Sequence, residues 1–512
     1  MQHGGFRAAC HRFSRPNDEI MVSVADMGSR EVAVLRTRAG DVSLWEAVLP
    51  AEVLRLPEEL ARVDELLDDP VFFVPFLPFF DPRVGRPSTP METYLRMMFL
   101  KFRYRLGYES LCREVSDSIT WRRFCRIPID GNVPHPTTLM KLTTRCGIEA
   151  VQGCNEALLA KAAQAKLLRT TRLRADTTVV PADVAYPTDS GLLAKAVRRI
   201  AVTGRRVQAA GGATRTRLRD RSRSAGKRAH GIVAKLGLRS AQGKEETQAT
   251  VRRITGELAC LAERAAADAE AVLSNARRAL RRAQAKAETL AASGSKDAAA
   301  GRRRRQLRRA VNDLTELLEV TRRIAAQTRQ RLSGSTPPGA TRRVSLHDGD
   351  ARPIAKGQLG KPVQFGYKAQ VVDNDDGVVL DHTLHQGNST DAPQLAPAVE
   401  RVIARTGCKP RTVTADRGYG EASVDEALHD LGVRNVVIPR KGKPGKARQA
   451  AEHRPAFRKS VKWRTGSEGR ISSLKRGYGW DRTRIDGTAG AQIWTGHGVF
   501  AHNLVKIGAL AS

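Results

Sequence analysis

Three acidic residues stand out by where they fall along the chain. Asp176 sits inside the β-type run TRLRADTTVVPADV (171–184), Asp416 lies in RTVTADRGYG (411–420) where a strand gives way to a glycine turn, and Glu468 opens a helical pattern in GSEGRISSLKRGYG. Charged side chains are seldom fully buried without partners, so an Asp inside an apolar strand either faces outward or holds a site. Three carboxylates brought together form a site for a hard divalent cation. Mg2+ prefers oxygen ligands, takes few carboxylates and completes its shell with water and substrate phosphate. Two such ions about 3.5–4 Å apart can activate a water or a 3′-hydroxyl and stabilise the leaving oxygen of an in-line displacement at phosphorus. Glu468 and Lys475 are seven residues apart, two helical turns, and Arg464 is one turn before Glu468. One helix face would then carry a metal ligand between two cations. Each residue also has a simpler reading. Asp416 before Gly418 suits a turn, Asp176 before Thr177 could cap one, and Arg464 and Lys475 could be surface charge.

The surrounding elements decide whether the three can meet. VQFGYKAQVVDN (363–374) is a strong β-run, Asp375–Asp376–Gly377 turns the chain, and VVLDHTLHQG reads as the partner strand. TDAPQLAPAVERVIART reads as a helix capped by Thr390 or Asp391. A strand ending at Asp416, a helix, a strand at RNVVIPRKG, a basic loop region and the Glu468 helix follow, and an apolar helix closes the chain. This order predicts a mixed α/β sheet with acidic residues at element ends. Upstream, residues 90–166 read as short helices joined by Gly or Pro turns, decorated by Arg96, Lys101, Arg103, Arg105, Arg122, Arg123 and Arg126. That pattern suits either a helix-turn-helix-like DNA-binding module or an ordinary helical packing domain. Residues 1–60 are hard to read: short strands in EVAVLRTRAGDVSLWEAVL and a short helix in LPEELARVDELL are the expectation, followed by a proline-marked connector.

Composition narrows the class. The chain has 512 residues, 87 Lys and Arg against 53 Asp and Glu, and a net charge of +34. That length suits about three domains. An apolar fraction of 41% supports at least one packed core and excludes a wholly disordered polycation. So large a charge favours polyanionic partners, nucleic acid first and an anionic membrane surface second. Residues 191–345 hold 36 Lys and Arg, 12 Asp and Glu and no aromatic residue, with apolar residues at helical spacing. They read as long helices inserted between two sheet-forming stretches. The seven cysteines are scattered without a C-x-x-C pair, against a disulfide framework or structural zinc. No leader-type apolar segment opens the chain, and the longest apolar run, VFFVPFLPFF (71–80), is too short to span a membrane. A soluble cytoplasmic protein is the expectation. His497 and His502 lack a metal-spaced partner and read as packing residues. His382 and His385 read as core or surface, and Asp373 and Asp381 rank low as extra carboxylates. GKPGK (442–446) lacks the pattern of an NTP-binding loop.

The local sequences add a resemblance. ADRGYG after a β-run, with Arg464, Glu468 and Lys475 in R-x-x-x-E-x-x-x-x-x-x-K, resembles insertion-sequence transposases of the DDE class, which have an RNase H-like core. In the subgroup concerned a Tyr precedes this Arg by three residues; here that position is Val461, which leaves the role unfilled or shifted to Trp463. RADTTVV, YPTDSGLL, FGYKAQ, GWDRTRIDG and HNLVKI are similar to the same family, and RPSTPMETYLRMMFLKFRYRLGYESLCREV resembles its helical N-terminal domain. The resemblance covers about 70–510, interrupted by the insertion. It implies an RNase H-like mixed sheet flanked by helices (169–190 and 346–512), a helical DNA-binding domain (70–168), a basic helical insertion (191–345) and an uncertain segment (1–69). It implies Asp176, Asp416 and Glu468 as catalytic ligands of two Mg2+ or Mn2+ ions, and Arg464, Lys475, Arg417 and Lys368 as DNA contacts. The implied partner is double-stranded DNA, both terminal inverted repeats and target, bound by a homodimer or higher oligomer close to the nucleoid, with no membrane. The insertion would grip flanking DNA without sequence preference. Two rival readings stay open: an inactive or architectural DNA-binding protein, and a stand-alone nuclease on the same core.

Overall fold

The structure, a computed structural model, describes residues 33–39, 48–237, 244–292, 297–358 and 361–511. The segments 1–32 and 40–47, which hold much of the uncertain N-terminal stretch and Cys10, lie outside the described residues.

Six strands form the central sheet: β1 (Arg172–Pro181), β2 (Arg352–Gln358), β3 (Lys361–Asp373), β4 (Val379–Gln386), β5 (Thr412–Thr414) and β6 (Asn435–Val437). Their order is β2-β3-β1-β5-β6, and β4 pairs with β3. β1 and β3 run antiparallel, with Arg174 opposite Asp373 and Asp176 opposite Val371. β1 and β5 run parallel, as do β5 and β6. The expected mixed sheet and hairpin are therefore present. β1 is central, and Leu173, Ala175 and Val180 on it are fully buried.

The helices that matter here are α1 (Met91–Arg103), α2 (Pro136–Gln164), α3 (Asp189–Ala209), α4 (Ser222–Gly237), α5 (Lys244–Ala292), α6 (Ala298–Leu332), α7 (Ala392–Thr406), α8 (Pro455–Arg464), α9 (Gly466–Gly477) and α10 (Gly487–Leu510). One hydrophobic cluster joins α1, α2 and α10 to the sheet strands. A second, separate cluster belongs to α3, α5 and α6, with Ala225 of α4. The insertion thus has a core of its own.

The basic residues expected to decorate 90–126 mostly do not. α1 is buried from Met91 to Phe102, the pattern of a helix enclosed on every side. Arg96 is fully buried, its guanidinium 2.7 Å from Asp64 and 2.6 Å from Asp68. Arg126 reaches the same two acids. Arg103 forks onto Glu59 at 2.7 and 3.0 Å. Lys101 donates to the Leu106 carbonyl at 2.8 Å and lies over the Tyr108 ring. Arg105 pairs with Asp481 at 2.5 Å, and Arg122 donates to the carbonyls of Pro128 and Gly131. For Arg96, Arg103 and Arg126 the reason is the acidic helix Glu58–Leu67 beside them, with Asp68 at its C-terminal cap. It supplies the counter-charges that a buried cation needs.

Among the described residues no helix is long and apolar enough to cross a membrane. The described cysteines are all free, with Cys112, Cys125, Cys146 and Cys154 buried.

Candidate active site

Asp176 lies midway along β1 and is nearly buried, its side chain 11% exposed. One carboxylate oxygen accepts the Thr177 backbone N–H at 2.8 Å. The other accepts from Arg464 Nη1 at 3.1 Å and from the Ser467 hydroxyl at 3.3 Å. Burial pushes the carboxyl up to about 6. Arg464, the Thr177 N–H and Ser467 pull against that shift, while the negative charge of Asp416 adds to it.

Asp416 follows β5. In the parallel pairing Arg172 faces Thr412 and Arg174 faces Thr414. Continuing that register by two residues puts Asp416 level with Asp176 on the neighbouring strand. The turn reading weighed for Asp416 also holds, because Oδ1 accepts the Gly418 N–H at 2.8 Å and starts the short 3-10 turn Arg417–Tyr419. A Cβ on Gly418 would lie 2.9 Å from that oxygen, so the close turn depends on glycine.

Glu468 is in the first turn of α9 and is 68% exposed. The helix does not run back to Arg464 as one piece. α8 ends at Arg464, and Thr465 separates it from α9. Arg464 nevertheless spans the gap, with Nη1 on Asp176 and Nη2 3.7 Å from Glu468. It ties the third acid to the first. Among the described residues no three His, Cys, Asp or Glu side chains converge as a ready metal cage. Asp176 and Asp416 do form a pair of hard oxygen donors whose like charge raises the Asp176 pKa, and such a donor set fits Mg2+ or Mn2+.

A buried charge network holds α8 and α9 over the sheet. Arg174 forks onto Asp373 at 2.9 and 2.8 Å, and Asp373 is fully buried. Arg470 of α9 reaches the same carboxylate at 3.4 Å. The Trp463 ring is stacked on by Arg172 and Arg174, at 4.0 and 4.8 Å, so an aromatic near the Val461 position does anchor this segment. A Cβ on Gly466 would come within 2.2 Å of Arg174. Glycine there lets α9 sit against the network.

The other expected residues divide. Arg417 is exposed beside Asp416. Lys475 is half-buried on α9, and that burial together with the charge of Lys356 pulls its pKa down to about 8. Lys368 is not open to a ligand: its Nζ lies 2.7 Å from Asp391 and 2.8 Å from the Ser389 carbonyl. From the sequence, Asp391 reads only as a helix cap. It occupies the N-cap position of α7 but makes no side-chain cap bond. Its carboxylate instead faces Lys368 and lies 3.3 Å from where a Gly418 Cβ would be. Burial and the charges of Asp391, Asp176 and Asp416 hold the Tyr419 phenol well above its ordinary value, so four side chains crowd this corner. Sequence reasoning misses Asp391 because a cap explains it sufficiently; its distance from Lys368 along the chain gives no cue.

Asp381 is paired with Arg401 and Arg405 at 2.7 and 2.6 Å. His497 stacks on Phe102, His502 donates to the Gly377 carbonyl, and burial pushes His382 down to about 4. All are packing residues, in line with the sequence.

The mixed sheet with its flanking helices is that of an RNase H-like core, with Asp176 on β1 and Asp416 just past the end of β5. Residues 51–145 match the family described as a transposase domain (DUF772), and residues 339–504 match the transposase DDE domain family. The chain belongs to the insertion-sequence transposases of the DDE class. No curated protein and no solved structure matched it.

Proposed function

We propose that the protein cuts DNA at the ends of its own mobile element and joins the freed ends to target DNA. The observation that supports this reading is the β1–β5 register, which if continued two residues past its last pair would bring Asp416 level with Asp176, with Glu468 linked to Asp176 through Arg464. Asp176, Asp416 and Glu468 would hold two Mg2+ or Mn2+ ions. When bound, these ions supply activation of the attacking oxygen and charge stabilisation at the scissile phosphate.

The chain's own side chains do the rest. Asp176 gives up its proton before it ligates, and the Thr177 N–H and Ser467 hydroxyl fix which way its oxygens point. Arg417 is exposed beside Asp416, Arg464 already bridges Asp176 and Glu468, and Lys475 lies further along α9 near Lys356 and Asp481; Arg417 and Lys475 suit phosphate contacts that set the register of the DNA. A phosphate beside Lys475 would favour its protonated form and offset the depression caused by burial. The first step breaks a phosphodiester by water attack and leaves a 3′-hydroxyl. In the second, that hydroxyl attacks a target phosphodiester, a new P–O bond forms, and the displaced 3′-oxygen leaves. Joining two ends needs two active sites, so we place at least a dimer on the DNA, acting at the nucleoid. End recognition is assigned to 70–168, through residues other than Arg96, Lys101 and Arg103.

The test is incubation of the protein and Mg2+ with a labelled duplex carrying the element ends and a target plasmid. Joined products support transposition. Nicks without joining would make it a nuclease, and binding without cleavage an architectural protein.

A further inference from the structure

The charge of the insertion is not evenly spread. The buried part of its hydrophobic cluster reaches Ala276 on α5, with Ala279 and Leu280 packed against it, and begins at Leu307 on α6. The turn after α3 comes to the same level, since a Cβ on Gly212 would lie 2.5 Å from Leu307 and 3.1 Å from Ala276. Past this point α5 continues to Ala292 and α6 starts only at Ala298. Two helices therefore project beyond Leu280, for about 18 Å along α5 at 1.5 Å per residue.

The described residues of this finger, 277–292 and 297–309, carry eleven Lys and Arg against Glu288 and Asp297. Asp297 is committed to capping α6, accepting the N–H groups of Ala299 and Ala300. Nearer the core the insertion neutralises itself: Arg221 pairs with Asp268 at 2.8 Å, Arg322 with Glu270 at 2.6 Å and Arg206 with Asp313 at 3.2 Å. On the finger, Arg278, Arg282, Arg302 and Arg305 are exposed and, among the described residues, form no ion pair. Like charges one turn apart, as at 278 and 282, destabilise a helix. Burial offsets little of that here, since the finger extends past the insertion's core. A polyanion at the surface would offset it. Duplex DNA supplies one phosphate every 3.4 Å per strand, so the length of the finger matches about five.

We propose that the finger's described helices, 277–292 and 298–309, lie along the sugar–phosphate backbone and hold DNA by charge alone, while the proximal part of the insertion is a strut that sets their distance from the active site. This rests on the transposase reading for the identity of the polyanion. The test uses the full-length protein, a random-sequence duplex and no metal, and reads the slope of log affinity against log salt. The finger variant R278Q/R282Q/R302Q/R305Q should lower the slope by about 0.9 for each phosphate it no longer neutralises, up to about 3–4. The strut variant K195Q/R198Q/R199Q/R252Q, equal in charge and also exposed, should lower it by less than about 1. Unchanged helical circular dichroism excludes misfolding of either. A finger variant with the wild-type slope, or a strut variant that falls as far, overturns the assignment. Failure of the wild-type protein to bind DNA at all would instead overturn the transposase reading beneath it.

Discussion

Asp176 shows how burial and chemistry compete at a single residue. A carboxyl raised to about 6 by burial holds a proton in the folded chain at pH values where the unfolded chain has released it. Stability from this group is therefore fully present below pH 4 and declines as pH rises through about 4 to 6. A cation held by Asp176 needs the charged form, so metal binding and stability pull in opposite directions. At sub-saturating Mg2+, strand cleavage should rise with pH through about 6, and saturating metal should move the midpoint downward. A midpoint that ignores metal concentration would contradict a ligand role for Asp176. Asp391 and Lys368 teach a related lesson. Sequence type makes one a cap and the other a DNA contact, and only the folded chain pairs them.

At the scale of elements, the segment Pro455–Gly477 depends on Arg174 and Asp373, which it does not contain. Removing one partner of a buried ion pair leaves an uncompensated charge, at a cost of about 3–5 kcal/mol. Asp373→Ala should lose about that much in chemical denaturation and also slow cleavage, because α9 carries Glu468. Retention of both properties would separate the network from the site. The mixed sheet, the strands that carry Asp176 and precede Asp416, and the long helices within 191–345 were legible in the sequence, because β-runs, turns and helical periodicity are local signals. The fate of Arg96 and Arg103 was not. Whether a cation faces solvent or an acid depends on which helix lies beside it, and the acidic helix Glu58–Leu67 carried no mark of its partner. The break at Thr465 was likewise hidden, since the residue spacing alone fits a continuous helix.

At the scale of the whole molecule, two hydrophobic clusters divide the labour: one under the sheet, one inside the insertion. Arg331 and Asp189 pair at 2.5 Å, so the insertion leaves and re-enters the core at nearly the same place. A cut at 205–335 would strip α3 of its packing partners, whereas replacing 190–342 by a short Gly/Ser linker removes the bundle whole. That deletion should preserve cooperative unfolding of the core and reduce the salt dependence of DNA binding; a core that fails to fold would show the two clusters to be one unit. The central claim concerns the three acids, and strand cleavage tests it most directly. Labelled end DNA with Mg2+ should be cleaved by the unmodified protein and left intact by Asp416→Asn and Glu468→Gln, while both variants bind that DNA with unchanged affinity. Full cleavage by either variant would contradict the account.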